Sequence, residues 1–561
     1  MLKKNKKDFL FLIIAVFMTI WFIWRYRFGY GGYDEPFYIN LNHKIYTGGK
    51  YIINEWNLAQ FFSIVTLPIY YIFRIFFKNT DGIFLFYRYT YLCLQLIITI
   101  YIYYRLKKLS IGYISVLVSL VYYLFTPVGI PNLSYNTIGV MLVSLITVII
   151  TTTENFSKNQ ALILGILYSF LVLCNPYTLV LFLPIIVYSL YLCFKKKYDI
   201  NNFIYFLCGV LLIAILCIVF FLIKASIFEY FTAVHNIFSI DKTHTKEGIL
   251  SIFFNYAWIF FWSDKWSNLG SGSLTALAFL TFIVRKRETK EKEPIFFLAG
   301  IFSFLLLRRY SYNLITLESH HIYFPITVMG LISYYSMSQK DQNKNKNIYN
   351  WLLMGLLYSF FMSLASDTRV FAIGTGLAVA SLPSLILILE YIREERGIYK
   401  RNLIVSTLFL MMFLGNMVYV KHNYVFAEEN LKSLNTKILN GPLKGVITTK
   451  EKVEEYNILY FGLKDSLKTV GYKEGEGVLI IDRSTWAPMI NDMYNCTYTA
   501  WSENIIEELE KYYSLNPDVK NKVKYVYIPN NLLGKEIMKI LFPEKKYTSI
   551  NDGKATIYCV E

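Results

Sequence analysis

Charge is missing where this chain is most apolar. Thirteen runs approach the roughly 20 residues a helix needs to cross a bilayer. Their cores lie near 9–26, 87–104, 111–127, 138–152, 161–175, 177–194, 203–223, 270–284, 295–307, 322–337, 349–365, 372–390 and 402–420, and the middle of each is without Asp, Glu, Lys or Arg. An ionisable group deep in a membrane usually marks an ion or substrate pathway, so the pattern speaks against a proton-coupled transporter. Histidine is scarce, six in all. Three candidate metal ligands, His235, Asp241 and His244, share one stretch but contain no i, i+4 pair. The seven cysteines lack the close pairs of a zinc ribbon or redox motif. Only Cys496 and Cys559 share a segment where a disulfide would form if that segment is extracytoplasmic. There is no repeat of fixed period, no glycine-rich phosphate loop and no catalytic triad.

What is present is an excess of apolar surface. Hydrophobic residues make up 55% of 561 and aromatics 18%, more than a water-soluble core requires, so the surplus faces lipid. The net charge of +17 is divided among short runs between apolar segments. It reads as a topology signal and excludes a nucleic-acid surface. Basic clusters occupy the N-terminal tail, Arg105 to Lys108, Lys195 to Lys197, Arg285 to Arg287, Lys340 to Lys346 and Arg393 to Arg401, alternate connections that the positive-inside rule makes cytoplasmic. Loops 27–86, 128–137, 224–269, 308–321 and 366–371 are then outside, with everything after about 421. Arg25 and Arg27, just past the first run, break the pattern. The first run follows Lys3, Lys4, Lys6 and Lys7 but leads to no small-residue cleavage site, so it is expected to stay as an uncleaved span. Two more apolar stretches, 58–77 and 249–262, would spoil the alternation as crossings and are expected as amphipathic helices on the outer leaflet.

The expected fold is therefore a polytopic α-helical membrane protein of about 13 transmembrane helices, residues 1–420, followed by a small extracytoplasmic α/β domain, 421–561. Short strand-like runs at 477–482 and 523–529 alternate there with helical patterns near 502–515 and 531–542, and a last strand pair is expected within 546–560.

The most informative segment follows the first span: Gly29-Tyr-Gly-Gly-Tyr-Asp34-Glu35-Pro36-Phe-Tyr38. Glycines let the backbone turn, and an acidic pair lands at the outer interface. A carboxylate there deprotonates an acceptor hydroxyl or binds a metal that does so; the plainer reading is a solvated loop pair. An acidic pair in the first outer loop, an interfacial helix and then Phe86-Tyr87-Arg88-Tyr89-Thr90 opening the second span together resemble the GT-C superfamily of integral-membrane glycosyltransferases. The branch most similar contains the protein O-mannosyltransferases and the aminoarabinose lipid A transferases. That resemblance implies inverting transfer of a sugar from a polyprenyl-phosphate donor to an envelope glycan, lipid or protein acceptor on the outer face; the richness in Tyr, Ile, Lys and Asn points to an AT-rich bacterial genome, so the expected location is a bacterial plasma membrane. It makes Asp34 the base, Glu35 its partner and Arg88 a donor-phosphate ligand. Glu55 falls where some members place a second acidic residue that ligates a divalent metal, although the His-Pro-Pro-like run common there is absent.

A departing polyprenyl phosphate carries negative charge, so the site needs fixed cations. Arg308, Arg309, His320 and His321, at the entry to the tenth span, are the expected donor-phosphate ligands, with Asp367 and Arg369 a weaker candidate. Interfacial snorkelling is the alternative for each. Two rival functions stand beside this one. A lipid-linked polysaccharide polymerase or ligase would rely on the late Arg and His residues, and a transporter or flippase would line the bilayer midplane with polar groups.

Overall fold

A computed structural model describes residues 2–109, 112–195, 199–240, 320–338, 345–365, 370–395, 400–425, 427–428, 430–482, 484–501, 505–529, 533–551 and 555–561. The expected spans at 270–284 and 295–307 and the amphipathic stretch at 249–262 lie outside the described residues, as do Asp241, His244, Arg308, Arg309, Asp367 and Arg369.

Apolar runs become helices because a helix satisfies its own backbone, as lipid demands. In chain order they are α1 (Leu2–Arg25), α2 (Asp34–Tyr46), α3 (Phe62–Phe76), α4 (Ile83–Lys107), α5 (Ile114–Leu124), α6 (Tyr135–Thr152) and α7 (Lys158–Cys174). Then come α8 (Phe182–Phe194), α9 (Ile200–Lys224), α10 (Ile227–Ile240), α11 (His320–Ser338), α12 (Lys346–Ala365), α13 (Val370–Glu395) and α14 (Lys400–Asn423). Among the described residues, six segments are long and apolar enough to cross a membrane: 6–25, 58–76, 83–107, 135–152, 200–224 and 374–394. The stretch at 58–76 meets that measure, where charge alternation predicts an interfacial helix. It is held at both ends: Phe61 packs on Phe221 of α9, and Arg74 makes two 2.6 Å bonds to Asp492 in the C-terminal region.

α13 is the hub of the bundle, and small residues let its neighbours come close. Gly376 lies against Ser359 of α12, Gly355 against Ala380, and Gly330 of α11 against Ser384. α7 and α9 cross at Gly165 and Gly209, where a Cβ on either would collide with the other helix's backbone. Helix ends expected on one side of the membrane meet there. Asp8 takes Lys107 at 2.6 Å and Tyr103 at 2.6 Å, and Arg105 reaches Thr152 at 2.7 Å. At the opposite end of α1, Arg25 donates to the carbonyls of Lys421 and His422, both at 3.1 Å, at the close of α14.

The C-terminal region opens with a two-stranded ribbon, β1 (Thr436–Lys437) and β2 (Ile447–Thr448). Residues 27–29 join its edge, with Gly29 N donating to Ile447 O and Ile447 N to Arg27 O, both 2.7 Å. After α15 (Lys450–Thr469) comes a five-stranded sheet of β3 (Gly477–Ile480), β4 (Tyr494–Asn495), β5 (Val523–Pro529), β6 (Tyr547–Asn551) and β7 (Ala555–Val560). Helices α16 (Ile506–Leu515), α17 (Pro517–Lys522) and α18 (Gly534–Leu541) connect its strands. Its order is β4-β3-β5-β7-β6, with β3 parallel to β4 and β5, and β7 antiparallel to β5 and β6. Alternation gives the sheet two apolar faces. Val478, Ile480 and Tyr527 join the main core with α15, while Leu479, Val526 and Ile528 pack with α16 and α18. Trp56, from the first long connection, sits in that second core and meets Tyr512 edge-on at 4.8 Å. Cys496 and Cys559 are both free thiols. Cys496 follows β4 and Cys559 lies on β7, three strand spacings or roughly 14 Å away, so the disulfide the sequence allowed does not form.

Candidate active site at the first outer loop

Past Arg25 the chain turns back through Gly29, whose φ of +68° suits glycine. A side chain there would run into Val425. The turn delivers Asp34 and Glu35 to the first turn of α2, and the two carboxylates meet opposite fates. Glu35 is wholly buried. Arg88 Nε and Nη2 grip it at 2.6 and 2.5 Å, while Gly31 N at 2.8 Å and Asn132 Nδ2 at 3.0 Å also donate to it. Arg88 spends its other bonds on the carbonyls of Tyr26 and Gly29, at 2.6 and 2.7 Å. The expected catalytic partner and the expected phosphate ligand are thus ion-paired to each other, a clasp that ties α2, α4 and the loop before α6 together.

Asp34 is only partly buried, and among the described residues no hydrogen bond to its carboxylate offsets its desolvation. Burial raises its pKa from 3.8 to about 6. A helix N-terminus favours an anion by about 0.3–1 kcal/mol, and here burial outweighs it. Close by, Thr485 Oγ1 donates to Tyr33 O at 3.2 Å, so the C-terminal region reaches the residue before the acid.

Glu55, the candidate metal ligand, is buried and engaged. It accepts Lys44 Nζ at 3.0 Å, Ala500 N at 2.8 Å and Asn57 N at 3.2 Å. Lys44 also donates to Asn54 O at 2.5 Å and Thr497 O at 2.9 Å. The geometry is that of a pin between the first loop and the C-terminal region. Among the described residues no three His, Cys, Asp or Glu side chains gather as a metal site, and His235 is exposed on α10. A third buried contact joins His43 Nδ1 to Tyr70 OH at 2.7 Å, beside the Arg74–Asp492 pair. Burial lowers the His43 pKa to about 4, so the ring is neutral at physiological pH.

A cavity of about 60 Å³ opens beside the Glu35–Arg88 clasp. Arg25 and Lys421 line it as well, with Gly31, Thr126 and Tyr323. The carbonyl of Gly31, which lines the cavity, accepts Asp34 N at 3.1 Å, while Asp34 itself is not a lining residue. Lys421 Nζ donates to Tyr26 OH at 3.2 Å and to the Thr126 hydroxyl, and sits 4.9 Å from the Tyr26 ring centre. His320 and His321 begin α11, and Tyr323 in its first turn lines the cavity.

Sequence reasoning overlooked Arg25, Lys421, Asn132 and Lys44. One signal for Arg25 was available: it violates the positive-inside rule, and a cation retained on the wrong side has another job to do.

No protein-family model matches the chain, and neither does any curated protein sequence. Among solved structures it is similar to the Archaeoglobus fulgidus oligosaccharyltransferase in its apo form, at 12% identity and a TM-score of 0.49, over 100% of this chain and 75% of that one. A likeness that slight carries no functional argument.

Proposed function

We propose that this chain is a GT-C-type membrane glycosyltransferase, multi-pass in a bacterial plasma membrane, that moves a sugar from a polyprenyl-phosphate donor to a cell-envelope acceptor on the outer face. The acceptor oxygen attacks the anomeric carbon from the side opposite the phosphate, the bond from that carbon to the phosphate oxygen breaks, and the configuration inverts. Asp34 takes the hydroxyl proton and the polyprenyl phosphate leaves. One observation carries the reading: of the two neighbouring carboxylates, Glu35 is committed to Arg88, while the Asp34 carboxylate has no hydrogen-bond or ion-pair partner among the described residues and a pKa raised to about 6. A general base works best with a pKa near the operating pH.

The resemblance across residues 29–90 supports the reaction class. Glu35 and Arg88 hold the loop, and Glu55 with Lys44 holds the C-terminal region over it.

Purified protein incubated with a panel of lipid-phosphate sugars and envelope acceptors should release polyprenyl phosphate. Asp34→Asn should lower the rate roughly 10²–10⁴-fold, with the wild-type rate rising on the acid side of the pH profile as Asp34 ionises near 6. A folded Asp34→Asn protein with full transfer activity removes the base. Loss on Arg309 substitution alone would instead favour the polymerase or ligase reading.

A further inference from the structure

Another buried carboxylate reaches the turn before Asp34, and it comes from the chain just past α14. The side chain of Glu428 is fully buried. One of its oxygens accepts Tyr30 N at 3.1 Å and Thr448 Oγ1 at 3.0 Å, and the other takes Lys452 Nζ at 2.9 Å. β2 and α15 thus orient the carboxylate that holds the turn. The main chains also fit closely here. A Cβ on Gly29 would lie 2.6 Å from Glu428 Cγ, and one on Gly32 would lie 3.1 Å from the Ala427 Cβ. Ala427 itself has a φ of +55°, a left-handed conformation unfavourable for a residue with a Cβ, which persists where surrounding contacts over-determine it. The turn passes its constraint straight to the acid. Tyr30 precedes Gly31, whose carbonyl accepts Asp34 N at 3.1 Å and Glu35 N at 3.3 Å.

We infer that Glu428 is a positioning residue for Asp34: by fixing the Tyr30 amide it keeps the Gly29–Gly32 turn closed, and the closed turn keeps the first turn of α2 and its acid out of bulk water. This role deepens the function proposed above and rests on it for Asp34 as the base. The charges around the turn do not supply the same effect. Glu35 is matched by Arg88, and Glu428 by Lys452. Tyr38, one turn along α2, is held protonated by burial, with the Tyr135 ring of α6 at 5.8 Å from its own. Lys452 also sits 5.7 Å from the Tyr30 ring centre, and the exposed Glu455 of the same helix acts on Tyr30 through its charge. Asp34 responds to burial, and its burial depends on how the turn lies.

The test separates reach from charge in the full-length protein. Glu428→Asp keeps the charge beside Lys452 and shortens the side chain by one methylene, which takes the oxygen away from Tyr30 N. Glu428→Gln keeps the length and an acceptor for that amide and loses the charge. In each background the ionisation of Asp34 is read without turnover, from the stability that Asp34→Asn adds between about pH 3 and about pH 8. With Glu428 in place that gain should level off just above pH 6. In Glu428→Asp it should level off at least about one unit lower, and the gain in the folding constant should be about tenfold smaller. In Glu428→Gln it should keep the wild-type course. The acid limb of polyprenyl-phosphate release should move in the same way. Gly209→Leu, which disturbs the α7–α9 crossing, should lower stability without moving the levelling point. A gain that does not change with pH when Glu428 is present overturns the positioning role, as does a wild-type levelling point in Glu428→Asp. An equal shift in Glu428→Gln or Gly209→Leu also overturns it, because charge or general loosening then accounts for the effect. The two proposals fail separately. Shifts as described without any sugar transfer sink the glycosyltransferase reading alone, and transfer that depends on Asp34 with an unmoved levelling point in Glu428→Asp sinks the positioning role alone.

Discussion

Replacing Asp34 by Asn should make this protein more stable at neutral pH while disabling it. Burial raises the Asp34 pKa from 3.8 to about 6, so the folded state holds the proton more tightly than the unfolded chain. The stabilisation that comes with that proton is fully present below about pH 4 and is lost as the pH rises through 6. Each pKa unit is worth 1.36 kcal/mol, which makes the ionised carboxylate a cost of up to about 3 kcal/mol at pH 8. Asn nearly matches Asp in shape and does not titrate, so the variant escapes that cost. Unfolding of both proteins by heat or denaturant in the same detergent, from pH 4 to pH 8, measures the difference. The Asn variant should gain on wild type as the pH rises from 4 to about 7 and hold a constant lead above that. A gap that does not change with pH, or a variant less stable than wild type at pH 8, refutes the idea that Asp34 is a desolvated, unpaired carboxylate. A merely solvated loop acid would show neither the gap nor its pH dependence.

Other consequences follow from the buried pairs and the helix contacts. Glu35→Gln leaves Arg88 buried and charged without its carboxylate, and should destabilise the fold by about 3–5 kcal/mol, read as a lowered midpoint in detergent unfolding. Lys44→Met strands the Glu55 carboxylate in the same way. It should loosen the C-terminal region and speed proteolysis near residues 497–501, and adding Glu55→Gln should recover part of the loss, because it removes the stranded charge and its carbonyl keeps an acceptor for one of the Ala500 and Asn57 amides. Gly209→Leu drives a side chain into the backbone of α7 at Gly165 and should cost about 1–3 kcal/mol or more, visible as a lowered melting temperature. Reducing agent should leave stability and gel mobility unchanged, because Cys496 and Cys559 are unlinked.

Much of the helical framework was legible because lipid imposes a local rule. Each apolar run must close its own backbone hydrogen bonds, so composition over about 20 residues is enough to mark a helix. The alternating strand pattern of 523–529 is similarly local, and β5 occupies that range. The stretch at 58–77 shows where the local rule stops. It has the length and hydropathy to cross a membrane, and only its contacts, Phe61 on Phe221 and Arg74 on Asp492, say what it is fastened to. The candidate site was legible as an address, since Gly29 to Tyr38 carries its own turn and its own acids. The difference between those acids was not, because Arg88 lies 53 residues from Glu35 and Asn132 lies 97 away.

From sequence alone came the abundance of lipid-facing helix, the strand content of the C-terminal region and an acidic pair just beyond the first span. Those properties depend on neighbours a few positions apart, where the periods of helix and strand operate. Tertiary structure alone decided that Glu35 is neutralised while Asp34, among the described residues, is not, that Glu55 is a pin, and that Arg25 meets the carbonyl of Lys421 across 396 residues. The physical reason is that desolvation and Coulomb energy depend on distance through space, and a linear string of residues does not contain that distance.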